Sequence, residues 1–425
     1  MAADYDLVIL GGALEGRRAA MMAADYGARV ALVEPPGLFE DGQRQRFLLE
    51  GLRQLGKVRE RQAVGEWFGY QTLSERLDWS ALMRWSAIAA ESRSAEYSVA
   101  AMSLRGVDVV LERPERLTRQ MVVTTASRQL SARGVLTACG TVPAAMPLLE
   151  TAALPKKVDA IGGSAISLVW AESLAAVGVD VCLVAAEILP GADEDVVRLA
   201  RSRLAATGIG VSPVCREDSL VLKIDTSEPA LSLPSFARTL KGNRRVRSRH
   251  PRVFACGSAL SLLASERVAD YLVRIAVREA LFFLNARTGP FSIVEGGDRY
   301  AWVGLTEGEA VRRYGDRVQV WAASSANNAD LSRVVPLPEC CKLVCAGNRL
   351  VGVHLAGEGA ESFAGLIAET LGQPMASFEK RGFCGEGMGG LFVECVGRSR
   401  QERWQPGQWR RDWAENWFNW RRSRG

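Results

Sequence analysis

Apolar positions along this chain fall into two patterns. Short unbroken runs, YDLVIL at Tyr5–Leu10 and KVDAI at Lys157–Ile161, predict β-strands. Each run is followed by a glycine-rich turn, GGALEG after the first and GGSAIS after the second. Helix-compatible stretches come next, RRAAMMAADYG and LVWAESLAAVG. A further apolar run closes each unit, ARVALVE ending in Glu34 and VDVCLVAAEIL. The pattern therefore predicts two β-α-β units in one chain. Near the last residues the period changes. Trp409, Trp413, Trp417 and Trp420 recur at i, i+4, i+8 and i+11, which is one stripe of a helix.

The spacing within the first unit carries chemistry. Gly11 permits a tight turn out of the strand, Gly16 allows the helix to pack closely, and the free N–H groups of the helix N-terminus face an anion. Glu34, at the end of the second strand, has the position and chemistry to accept hydrogen bonds from a ribose diol. The fingerprint reads Gly11-x-Ala13-x-x-Gly16, with alanine at its middle glycine. Gly12, Ala13 and Glu15 complete the turn. In the second unit the motif is Gly162-x-Ser164-x-x-Ser167, and Ala185 stands where the acidic residue is expected. Glu187 substitutes for it only if the strand end bulges. A dinucleotide site is the reading for the first unit. A structural α/β unit kept for packing is the reading for the second.

Composition narrows the classes. The 425 residues suggest two or three domains, and 48% hydrophobic with 24% charged residues describes a globular protein. No apolar run approaches the length of a membrane helix, and MAADYDLVILGG has no basic segment before its apolar stretch, so no secretory signal is expected. A net charge of +5 is too small to argue for nucleic acid. Nine cysteines without a CxxC pair suit a reducing, cytoplasmic setting. Two histidines, His250 and His354, leave almost no candidates for a triad or a histidine metal site, and no metal is expected.

With these segments in order, the chain resembles the class I flavoprotein disulfide reductases, the family of glutathione reductase, dihydrolipoamide dehydrogenase and mercuric reductase. LSARGVLTACGTVP is similar to the strand and turn that close the family's first FAD segment. GADEDVVRLARSRLAATGI (191–209) resembles the helix after the second nucleotide strand, and HPRVFACGSA (250–259) the second FAD motif. AWVGLTEGEAVRRYG (301–315) is close to the VGLTExEA sequence opening the interface domain. CKLVCAGNRLVGVHLAGEGAESF (341–363) resembles the strands and helix that come after that sequence in the family. The likeness spans about residues 4–375. It implies an α/β fold with two Rossmann-like three-layer domains and an α+β interface domain that makes a homodimer. It also implies FAD held by Gly11, Gly12, Ala13, Glu15, Gly16 and Glu34 on one side and by Gly140, Gly257 and Ser258 on the other.

The departures concern the chemistry. The family's redox Cys-x4-Cys is missing from PPGLFEDGQRQRFLLEGLRQLG, and its His-Pro-x-x-x-Glu loop is missing from GQPMASFEKRGFCGEGMGGLFVEC. Ser258 replaces the aspartate of the second FAD motif. Without thiol pair and base, ordinary dithiol reduction is not expected, and the altered second turn makes NAD(P)H doubtful. The expected layout is an FAD-binding domain at 1–150 and 251–290, a reduced NAD(P)-like domain at 151–250, an interface domain at 291–395 and a Trp/Arg helical tail at 396–425. Two function classes stay open: a flavin oxidoreductase with a changed electron route and no identified catalytic residue, or a catalytically inactive dimeric binding or assembly module that works through its Trp/Arg tail.

Several clusters have more than one reading. Cys139 and Cys256 sit in equivalent turns, as thiols near a flavin or as small buried hydrophobes. Cys340, Cys341 and Cys345 form CCKLVC, where strand packing is weighed against a transplanted redox centre. KGNRRVRSRHPR (241–252) reads as a solvated linker or an anion-binding loop. The tryptophan stripe packs on the protein itself or its dimer partner, recognises another protein, or lies on an anionic membrane surface.

Overall fold

The computed structural model describes residues 3–67, 77–138, 146–225, 234, 246, 248, 250–256, 266–282, 295–296, 299–325, 339–379, 387–405, 407 and 409–424. Gly140, Gly257, Ser258, Cys139 and most of the basic stretch 241–252 lie outside the described residues. By compactness the chain divides into two units, residues 1–190 with 201–297, and 191–200 with 298–425.

In the first unit, β1 (Tyr5–Leu10), α1 (Leu14–Asp25) and β2 (Val30–Val33) form the expected β-α-β unit. A long helical excursion follows: α2 (Leu38–Trp67), α3 (Trp79–Glu96) and α4 (Val99–Leu104). The chain returns as β3 (Val107–Val110), β4 (Arg116–Leu117), β5 (Val122–Thr124) and β6 (Gln129–Thr137). The strands run β3-β2-β1-β6, all parallel, with β5 and β4 antiparallel on the first half of β6. Leu7–Leu10 and Val30–Val33 are buried on both faces, as strands in a covered parallel sheet must be. That explains unbroken apolar runs in place of alternation.

After α5 (Met146–Leu149) the pattern repeats as β7 (Lys157–Ile161), α6 (Ala165–Ala176) and β8 (Asp180–Val184), then α7 (Glu194–Ala206), β9 (Gly210–Ser212) and β10 (Leu220–Lys223). These strands make a separate parallel sheet ordered β10-β7-β8-β9. Arg216 ties its two central strands, with Nε at 2.8 Å from buried Asp159 on β7 and Nη1 at 2.7 Å from Asp180 on β8. β11 (Val253–Ala255) then returns to the first sheet and pairs in parallel with the second half of β6, Val253 opposite Val135. The helix α8 (Glu266–Phe282) follows. The first sheet is thus discontinuous in sequence.

The second unit is built on an antiparallel sheet. Its strands are β12 (Glu295–Gly296), β13 (Tyr300–Gly304), β14 (Val318–Ser324), β15 (Cys340–Ala346) and β16 (Arg349–Ala356), ordered β12-β13-β16-β15-β14. VGLTEGEA has a physical explanation here. Gly304 adopts φ +87, and a Cβ there would lie 2.2 Å from the Val351 carbonyl oxygen. Thr306 then caps α9 (Glu307–Tyr314) in a reciprocal box: its hydroxyl accepts from the Glu309 amide, and the Glu309 carboxylate accepts from the Thr306 amide. The helices α10 (Ala360–Ala368), α11 (Met375–Glu379), α12 (Met388–Arg403) and α13 (Trp409–Arg422) complete the unit. Residue 396, where the tail is expected to start, lies inside α12. That helix buries Leu391, Phe392, Cys395 and Val396, so its apolar face belongs to the folded unit.

Candidate functional site: two glycine turns

The first turn sits where the carboxyl ends of four parallel strands, β2, β1, β6 and β11, meet. Gly11 donates to the Val33 carbonyl at 3.0 Å, Ala138 beyond β6 donates to Leu10 at 2.8 Å, and Cys256 beyond β11 donates to Thr137 at 3.0 Å. Such strand ends form the ligand crevice of open α/β sheets. Gly11 adopts φ +131. A Cβ on Gly16 would lie 2.3 Å from the Gly11 carbonyl oxygen, so both outer glycines are required by geometry. Ala13 is the N-cap of α1 and its side chain makes no capping bond. Among the described residues, the amides of Gly12, Ala13 and Leu14 have no hydrogen-bond partner. Glu15 lies in the helix's first turn.

Glu34 ends β2 as expected, but it is not open. It is 1% exposed, and Arg17, the residue after Gly16, meets both its oxygens at 2.6 and 3.2 Å. Arg17 is itself buried. It donates to the Tyr97 carbonyl at 3.0 Å and stacks on the Phe39 ring at 3.8 Å. Burial pushes the Glu34 carboxyl above the usual range, and Arg17 offsets only part of that rise.

The second turn reproduces the backbone and fills it differently. Gly162 has φ +143 and donates to Val184 at 3.0 Å. The amides of Gly163 and Ser164, equivalent to Gly12 and Ala13, both donate to one oxygen of Asp225, at 2.7 and 2.8 Å. Its other oxygen accepts from the Ser164 hydroxyl and, at 2.8 Å, from the Ser167 hydroxyl. The two serines that replace glycines thus hold a carboxylate at the helix N-terminus, where a phosphate oxygen would otherwise sit. Over the turn, the Leu189 amide donates to the Gly163 carbonyl at 2.7 Å, and a Cβ on Gly163 would lie 1.8 Å from the Glu187 carbonyl. Glu187 therefore closes the turn with its backbone.

Sequence reasoning missed Arg17 and Asp225. Each left a signal: a basic residue directly after the last glycine, and an acid ending the run LVLKID. Because β10 pairs beside β7, Lys223 opposite Ile161, Asp225 falls next to the turn.

The cysteines of β15 are buried or half-buried in the sheet. Cys340, Cys341 and Cys345 lie on β15, and burial pushes the Cys340 and Cys345 thiols up to about 12. Such thiols stay protonated and unreactive near neutral pH. Cys256 is buried at the end of β11. Among the described residues, the carboxylates of Asp193, Asp195 and Glu307 lie close enough together for a cation. The Lys342 ammonium already occupies the space between them, at 2.6, 2.6 and 2.7 Å. His354 is fully buried, its Nε2 3.0 Å from the Leu305 carbonyl, and burial lowers its pKa.

A discontinuous first sheet with a glycine turn, an inserted second nucleotide-type sheet, and an antiparallel sheet after the VGLTEGEA strand together define the class I pyridine nucleotide-disulfide oxidoreductase fold. One solved structure with this fold is the HOCl-induced flavoprotein disulfide reductase RclA from Escherichia coli. It superposes with a TM-score of 0.70 over 92% of this chain and 99% of that one, at 16% identity. That likeness is one of fold. No family model matches the chain.

Proposed function

We propose that the protein is an FAD-binding flavoprotein that exchanges electrons without an NAD(P)H site at its second turn and without a dithiol centre. The observation that carries this reading is the contrast between the turns. Among the described residues, the amides of Gly12, Ala13 and Leu14 at the first helix N-terminus have no partner, a fit for an anionic pyrophosphate, whereas Asp225 satisfies the equivalent amides of the second. Gly11 and Gly16 let the backbone approach the pyrophosphate, and Glu34 is the candidate for the ribose. Each Glu34 oxygen keeps a second lone pair while bonded to Arg17, so the ribose shares this carboxylate with the guanidinium. Bound FAD would supply the isoalloxazine ring as electron carrier. Gly140, Gly257 and Ser258 belong to the same proposal through their place in the sequence.

A second reading, a flavin-free assembly module of this fold, is favoured by one observation: the closed Arg17–Glu34 pair beneath Phe39. The test is an absorption spectrum of the purified protein, before and after incubation with FAD, followed by anaerobic addition of NADH, NADPH and then dithionite. Retained visible flavin bands that bleach with dithionite but with neither nucleotide are expected. Bleaching by either nucleotide would sink the claim about the second turn. No retained flavin would leave the assembly module, and with it the homodimer that the fold's interface domain suggests.

A further inference from the structure

The Trp/Arg stripe is the feature that the flavin reading leaves unused. Most of α13 stands clear of its own unit: Ala414 is its only buried residue. Trp409 and Trp413 are 70% and 60% exposed, and Trp417, Phe418 and Trp420 are close to half exposed. At 100° per residue, the four tryptophans fall within an arc of about 80°. Their rings lie along one another, Trp413 on Trp417 at 6.1 Å and 5°, and Trp417 on Trp420 at 4.9 Å and 28°. The arginines border the ladder. Arg410 covers the Trp409 ring at 5.4 Å and Arg424 the Trp420 ring at 4.4 Å. Five arginines against Asp412 and Glu415 leave residues 409–425 at a net charge of +3.

We propose that α13 is a peripheral anchor that lies on a bilayer surface rich in anionic lipid, with its tryptophan ladder at headgroup depth. Tryptophan is the residue that prefers that depth, with an apolar body and a polar N–H. Arginine stems bury along apolar surface while their heads meet lipid phosphates. A helix with low net hydrophobicity, one aromatic face and a basic border is the form that lies in an interface. It does not span: 14 residues make about 21 Å against about 30 Å of hydrocarbon. No described helix is long and apolar enough to cross a membrane. Charge complementarity also selects the occupant. A second copy packed face to face would set arginine borders against each other, whereas an anionic headgroup layer neutralises them.

The experiment uses the full chain and sedimentation with phosphatidylcholine vesicles, with and without phosphatidylglycerol. Binding is expected only with phosphatidylglycerol, falling as salt rises. Trp413→Ser with Trp417→Ser keeps the charge and is expected to weaken binding on the order of tenfold for each ring removed. Arg410→Gln, Arg421→Gln and Arg424→Gln together keep the ladder and are expected to cost about a hundredfold, roughly fivefold per arginine. Brominated lipid should quench part of the wild-type tryptophan emission, and that quenchable part should be missing from the double Trp variant. Unchanged circular dichroism and melting midpoints establish that the variants fold. Equal binding to neutral vesicles, no binding at all, or self-association abolished by the double Trp variant would each overturn the proposal, the last by making a second copy the occupant.

Discussion

At both glycine turns the first glycine reaches back to the neighbouring strand, Gly11 to Val33 and Gly162 to Val184, each at 3.0 Å. The next two amides diverge. At Gly12 and Ala13 they have no partner among the described residues; at Gly163 and Ser164 they converge on Asp225. The acid ending the second strand diverges too. Glu34 is present and clasped by Arg17, while its counterpart is Ala185. Loss of two glycines alone would suggest decay of the second site. The hydroxyls of Ser164 and Ser167 are both donated to Asp225, so an internal carboxylate fills this turn. An internal carboxylate supplies the charge that a helix N-terminus favours and costs no ligand-binding entropy.

The comparison breaks hardest at Arg17. Arg17→Met strands the buried Glu34 carboxylate and should cost about 3–5 kcal/mol, read from the urea midpoint, with flavin retention falling at the same time. The double variant Arg17→Met with Glu34→Gln should recover a large part of that loss. If Arg17→Met costs nothing, the clasp is not closed in solution.

Asp225→Ala comes next. It removes charge-assisted bonds to two amides and two hydroxyls and should destabilise by about 2–3 kcal/mol. Added pyrophosphate should then raise the variant's melting midpoint more than the parent's, since the freed amides regain an anion. Equal responses would mean that Asp225 does not guard the turn.

The smallest effect is in pH dependence, and its sign differs between the two sheets. Burial raises the folded pKa of Glu34, so its contribution is present below the ordinary carboxylate range and lost as pH rises through the folded value. At Asp159 burial pushes upward, but the Arg216 amide and guanidinium outweigh it and hold the pKa low. Its contribution is present above the ordinary range and lost as pH falls through the folded value. The deficit of Asp159→Asn should therefore shrink on acidification, and Glu34→Gln should gain on the parent as pH rises. Parallel pH profiles for the two variants would contradict this.

Legibility in the sequence tracks the range of the interactions involved. β1 and β7 begin and end where their apolar runs do, because a covered strand is recorded in consecutive residues. Gly11 and Gly16 were legible because a tight turn and a close helix contact are local demands. Asp225 was not, since its partners Gly163 and Ser164 lie about sixty residues away and only the pairing of β10 with β7 brings them together. Arg17 lay within the fingerprint, yet its clasp on Glu34 depends on Phe39 and Tyr97 from later helices. The stripe on α13 was legible as a helix from period alone. Its exposure was not, because period does not record which face a neighbour covers.

The pairing of β6 with β11 has a kinetic consequence. β6 ends at Thr137 and β11 begins at Val253, so the ladder between them closes a loop of more than a hundred residues that contains the whole β7–β10 sheet. Such distant contacts gain nothing until the chain between them has been ordered, so they form late. During synthesis β1, β2, β3 and β6 can pair while Val135–Thr137 still presents an open strand edge, and the inserted sheet can assemble on its own in the meantime. β11 would then arrive as the last strand, carrying Cys256 to the rim of the first turn. The crevice beside Gly11 is therefore a product of the last strand pairing in its sheet, and a chain stalled before residue 253 would hold the glycine turn without the wall that β11 supplies.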